Sequence, residues 1–165
     1  MPIETFTAGS YAATYNATGV GITDDGFRIT HDQKAEVIDK SDLYGDTMLD
    51  AIWRGANVSC AYTCKAFNKG VPVLNPFTAA LYEVWASGTP QGRLFSDIAQ
   101  VFVMTATANT PAATNGPATL TASKAILAPN FSTEHLYDNR LRQLPLRMQF
   151  LPYTSTGKLI FAALT

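Results

Sequence analysis

Two histidines, two cysteines and one aspartate-rich stretch are the residues of this 165-residue chain whose types could do chemistry. His31 and His135 lie far apart, and no G-x-S-x-G elbow, P-loop, Rossmann glycine run, H-E-x-x-H or paired-cysteine zinc motif accompanies either one. Both read as surface histidines. Cys60 and Cys64 fall in one alternating segment, where a four-residue separation puts their Cα atoms ~13 Å apart, beyond disulfide reach. They read as two small buried side chains in a reducing compartment. The carboxylates are densest at Asp24, Asp25, Asp39, Asp42, Asp46 and Asp50. Such a cluster can hold a cation. However, "DKSDLYGDTMLD" does not follow the Asp-x-Asp-x-Asp-Gly spacing with a distal Glu, and turn or cap roles explain Asp42 and Asp46 equally well. No catalytic residue, metal ligand or cofactor site is assigned, and nothing argues for an enzyme.

Composition narrows the class further. Charged residues are 15% of the chain, against ~25% in an ordinary soluble domain, so much of the surface must be neutral polar or covered by a partner. The net charge is −1 and no run of Lys or Arg exceeds two, so the footprint of a phosphate-gripping nucleic-acid binder is missing. "MPIETFTAGS" lacks the basic and apolar regions of a signal peptide, and no stretch of ~18 apolar residues offers a membrane span. The Asn-x-Ser/Thr sequons at Asn16, Asn57 and Asn130 are therefore taken as chance.

Several segments alternate with the period of a half-buried strand. In "QLPLRMQFL", Leu144, Leu146, Met148 and Phe150 share one face. In "ANVSCAYTCKAF", Val58, Cys60, Tyr62, Cys64 and Ala66 do the same. "IAQVFVMTAT" is apolar on both faces, as a central strand covered on both sides would be. "ATLTASKAIL" and "KLIFAAL" read as further strands. "TDDGF" carries an Asp-Gly turn signal ahead of "FRIT" and "KAEVI". One helix is expected over residues 75–88. Asn75 caps it, Pro76 takes its first position, Phe77, Ala80, Leu81, Val84 and Trp85 form its apolar stripe, and Gly88 closes it. Residues 105–119, uncharged and holding two prolines, read as a strand end and a long loop. The expected fold is mainly β: one domain over residues 1–165, a two-sheet sandwich or open barrel with one flanking helix and extended arms. Residues 1–12 form an N-terminal arm, and residues 39–55 a loop between strands.

That loop and the strand after it, "DLYGDTMLDAIWRGANVSCAYTCKAF", carry a resemblance to the tail tube (major tail) proteins of long-tailed bacteriophages. Tyr44, Gly45, Asp46 and Thr47 match the family's acidic "YGDT"-type loop. Asp50, Ile52 and Gly55 match the short segment that follows, and Val58 to Phe67 the long alternating strand. "LPLRMQFLPYTSTGKLIFAAL" resembles the family's closing hairpin, Leu144 to Leu151 with Lys158 to Leu164. Met48 stands where a proline often follows the "GDT". The similarity runs through most of residues 19–164.

The resemblance implies a β-sandwich subunit with one helix. It also implies homo-oligomers, with rings of six stacked into a virion tail tube that conducts DNA during ejection without binding it specifically. Tape-measure, terminator and sheath proteins are the other partners implied, with no membrane and no cofactor, and synthesis in the cytoplasm of the bacterial host. Residues 42–53 are then expected to be an inter-subunit arm that docks Leu43, Tyr44, Leu49, Ile52 and Trp53 on a neighbour, with Asp42, Asp46 and Arg54 as the polar interface residues. The rival placement is a loop folded back over its own core. Two rival functions are a related ring-forming tail protein (terminator, connector or injection-system tube) and a carbohydrate-binding sandwich. The latter would need Tyr11, Tyr15, Tyr44 or Trp53 exposed as sugar platforms.

Overall fold

The structure is a computed structural model and describes residues 9–38, 47–66, 94–132 and 143–165, with the backbone alone at Ala66 and Leu144. The helix expected over residues 75–88, His135 and most of the N-terminal arm lie outside the described residues. Among those described, the chain forms ten strands and two short helices. In order these are β1 (Tyr11–Tyr15), β2 (Thr18–Gly19), β3 (Ile22–Ile38), β4 (Asp50–Ala66), α1 (Phe95–Ile98), β5 (Gln100–Ala106), α2 (Pro111–Asn115), β6 (Thr119–Leu127), β7 (Leu144–Phe150), β8 (Tyr153–Ser155), β9 (Lys158–Ile160) and β10 (Ala163–Leu164). The protein is mainly β, as the alternation requires.

One antiparallel sheet runs β2-β1-β5-β6-β7-β4-β3, with β10 paired beside β6, and β8 and β9 form a second small sheet. The large sheet curls. In a flat sheet β5 and β3 would sit four strand spacings apart, roughly 19 Å. Instead Phe27 of β3 and Phe102 of β5 pack with ring centroids 6.2 Å apart. Tyr62 and Phe150 join them, at 5.1 Å from Phe27 and 5.7 Å from Phe102 respectively. Across the same closure the Cys64 thiol donates to the Val20 carbonyl at 3.4 Å. The core is therefore the inside of an open barrel, filled by Tyr15 of β1, Phe102 of β5 and Met148 and Phe150 of β7. The alternation of β7 is borne out, with Leu146, Met148 and Phe150 buried and Arg147 exposed. Cys60 and Cys64 are free and fully buried on the same face of β4.

Four expectations need correction. "TDDGF" is not a turn between two strands. Asp25 and Gly26 do take positive φ (52° and 73°), but Asp24 still pairs with Thr63 and Arg28 with Ala61, so three residues bulge out of one continuous strand. β5 is not buried on both faces; Phe102 is buried, while on the other face Val101 is exposed and Val103 half-buried. Residues 105–119 contain the short helix α2 as well as loop. The C-terminal segments do not close as a hairpin with β7, which pairs with β4 and β6, while β9 pairs with β8 and β10 with β6.

Candidate functional site

Among the described residues the longest pairing is the hairpin of β3 and β4, which runs from Ile22↔Ala66 to Ile38↔Asp50 with three shifts of register. β7 supports β4 only over Val58–Cys64. Beyond the His31↔Val58 pair no other described strand pairs with the two, and a further ladder bond, Leu49 N–H to the Ile38 carbonyl at 2.8 Å, extends them. Seven residues at strand rise make a two-stranded arm roughly 20 Å long. The segment Asp50–Gly55, expected within a loop, is thus strand. Its neighbours explain why: Ala51, Ile52 and Trp53 are each matched across the ladder by Val37, Glu36 and Ala35.

A bulge sets which side chains share a face. Lys34 pairs with Gly55 and Ala35 with Trp53, so Arg54 is the extra residue, and Gly55 takes φ 133°, where a side chain is strained. Paired residues point to the same side of a ladder. Ala35, Val37, Ala51 and Trp53 therefore share one face, continuous with that of Val58. The other face carries Asp32, Lys34, Glu36 and Ile52. It is laced by an ion pair of 2.6 Å between Lys34 and Asp32 and by another between Arg54 and Glu36, in which Arg54 Nε donates at 2.8 Å. Such exposed pairs contribute at most about 1 kcal/mol each. Full burial ends at Val58 and Gly55 and Ala56 are half-buried, whereas Val37 is 48% exposed, Ile52 47% and Trp53 59%. Leu49, Met48 and Ile38 are exposed as well.

Of the interface residues expected from sequence, Leu49, Ile52, Trp53 and Arg54 lie on or beside this arm, whereas Asp42, Leu43, Tyr44 and Asp46 lie outside the described residues. The structure separates Ile52 from Trp53, placing them on opposite faces, and gives Arg54 a partner within its own chain. Ala35, Val37 and Glu36 were not expected at the site. Their signal was the alternation in "KAEVI", which places Ala35 and Val37 together.

No other constellation of reactive groups competes. Among the described residues no three His, Cys, Asp or Glu side chains come close enough to hold a metal ion. Burial pushes the Cys60 thiol up to about 12 and that of Cys64 up to about 11, so neither is a thiolate nucleophile near neutral pH. Tyr15 is buried rather than a sugar platform. Its hydroxyl donates to the Ala125 carbonyl at 3.0 Å, and desolvation raises its pKa to about 12. His31 is exposed on β3.

No family model matches the sequence, and no curated protein matches it. Among solved structures, the sheath/tube terminator of an extracellular contractile injection system, PVC, in the extended state, is similar at 8% identity and a TM-score of 0.49, covering 90% of this chain and 94% of that one. A likeness at that level carries no argument about what this chain does.

Proposed function

We propose that this chain is a structural subunit that assembles with copies of itself through the β3–β4 arm, and that the assembly is a phage-type tail tube: rings of six, stacked, enclosing a conduit for DNA. The carrying observation is the arm itself. A two-stranded ribbon is marginally stable alone in water, and this one exposes Trp53 and Val37 on one face, Ile52 on the other and Leu49 beside them. Large apolar side chains grouped on a projecting element mark a surface that another protein covers. The outer edge of β3 is a second unpaired feature among the described strands, and charged residues along it (Arg28, Asp32, Lys34, Glu36) guard against indiscriminate pairing. The tail-tube resemblance centres on the same stretch, and a near-neutral chain suits a channel along which DNA must slide rather than stick. A related ring-forming tail protein, such as a terminator, would use the arm in the same way. Self-assembly into tubes of indefinite length separates the two.

Negative-stain electron microscopy of the purified chain, with sedimentation velocity in parallel, tests the proposal. Six-fold rings or tubes with a central channel are the expected result. A monomer that persists to high concentration overturns it.

A further inference from the structure

The arm occupies one end of the β3–β4 hairpin, and a cleft occupies the other. On the outer face of the sheet, Arg28 pairs with Ala61 and Ala61 with Arg147, so two arginines flank an alanine in one row across three strands. Two strand spacings put their Cα atoms roughly 10 Å apart, close enough for both long side chains to reach one small anion over the alanine methyl. They line a cavity of 310 Å³ with Asp24, Asp25, Thr63 and Phe131, so two carboxylates border it as well. Asp24 is already engaged by Lys65 Nζ at 2.5 Å. Arg147 touches the Ser59 hydroxyl at 3.4 Å, and neither arginine has an ion-pair partner among the described residues. Two planar guanidinium forks with free donors are a receptor for carboxylate.

We infer that this cleft receives the acid-rich end of the arm of a second copy, whose carboxylates sit between Arg28 and Arg147. The inference rests on the assembly reading above and names its receiving surface. Charge complementarity identifies the occupant: residues 39–50 hold Asp39, Asp42, Asp46 and Asp50 against the single Lys40. Distance identifies its source. Asp50 is eleven residues along β4 from Ala61, roughly 35 Å in a strand. Asp50 is therefore held away from the cleft of its own subunit, and a second copy is the source we assign to the acids. Donor and receptor at opposite ends of one hairpin make a head-to-tail contact, the kind that closes rings or grows filaments.

Two charge-reversed variants of the full chain test it, Arg28→Glu/Arg147→Glu and Asp42→Lys/Asp46→Lys, together with the variant that combines all four changes. Each is followed by sedimentation velocity at low salt, with thermal melts to show that the fold is kept. Each pair alone is expected to weaken association at least about tenfold, because like charges then meet. The 1:1 mixture, in which every arm meets an oppositely charged cleft, and the combined variant are both expected to recover it. If the arginine variant assembles like the wild type, or if neither mixture nor combination recovers, the cleft is not the receptor although the arm reading stands. If the arginine variant assembles normally but binds a short DNA duplex less well, the arginines serve phosphate and the inference also falls. A wild-type chain that never assembles removes both.

Discussion

Trp53→Ala separates a docking residue from a core residue. Trp53 is 59% exposed in the isolated chain. A tryptophan offers ~250 Å² of surface, so ~150 Å² remains to be covered by a partner. At ~25 cal/mol per Å², full coverage is worth ~3–4 kcal/mol and half coverage ~2 kcal/mol. Removing the ring should therefore weaken each subunit contact by roughly 30-fold to several hundred-fold. The same change should barely affect the subunit alone, because exposed substitutions away from special features fall within about 0.5 kcal/mol, or about 2 °C in Tm for a chain of this size. Phe102→Ala supplies the contrast. Phe102 is fully buried against the rings of Phe27, Tyr62 and Phe150, and its loss should cost ~3–5 kcal/mol and on the order of 10 °C. The assay is a thermal melt at a concentration where the chain is monomeric, paired with sedimentation velocity over a concentration series. Two results would refute the reasoning: Trp53→Ala assembling at the wild-type concentration, or Trp53→Ala lowering the monomer's Tm as far as Phe102→Ala does.

Alkaline pH should unfold the subunit steeply. Burial holds the protons of Cys60, Cys64 and Tyr15 in the folded chain up to about 12, 11 and 12, against ordinary values of 9.0, 9.0 and 10.0. Burial disfavours the anion in each case, so the folded state binds more protons than the unfolded one, and the stability present below about pH 9 is lost as pH rises towards the folded values. Between about pH 10 and 11 the difference is a little over two protons, a fall of about 3 kcal/mol per pH unit. Urea unfolding at pH 8, 9, 10 and 11 measures it, and a midpoint that stays level to pH 11 contradicts the buried-acid account. Gly9→Ala should lower Tm by several degrees, because a Cβ there would lie 2.6 Å from Thr110 Oγ1 and 2.8 Å from Thr110 Cβ beside α2. Gly19→Ala, where a Cβ meets nothing within 4 Å, is the matched control and should change Tm by no more than about 2 °C.

The parts of the fold legible in the sequence are those where one face is buried and the other is wet. β7 and the Val58–Ala66 half of β4 alternate because the barrel interior selects every second residue. The short strands were not legible. β2, β8, β9 and β10 hold two or three residues each, too few to show a period. The β1–β2 hairpin turns through Asn16 and Ala17, both at positive φ (48° and 62°), so the usual Asn-Gly or Asp-Gly signal is absent. The reverse happens at Asp25-Gly26. There the signal is present and the left-handed dihedrals form, yet the chain does not reverse, because a dipeptide reports its own conformation and not which strands pair on either side of it.

The arm was misread for two physical reasons, and both bear on its use. The bulge at Arg54 and Gly55 shifts the alternation by one residue, so Ala51 and Trp53, on the face of Val58, fall out of phase with it in the sequence. The run "LDAIWRG" then resembles an amphipathic connection rather than a strand. The second reason is that the pattern of a half-buried strand presupposes a core within the same chain. Beyond Val58 the described residues supply none: Trp53 and Val37 are exposed on a ribbon that β7 no longer supports. Keeping a tryptophan there costs solubility and brings the isolated subunit almost no stability. Such a residue makes physical sense where a partner completes the face, and the charged opposite face, held by Lys34–Asp32 and Arg54–Glu36, then leaves the partner one side of the ribbon to cover.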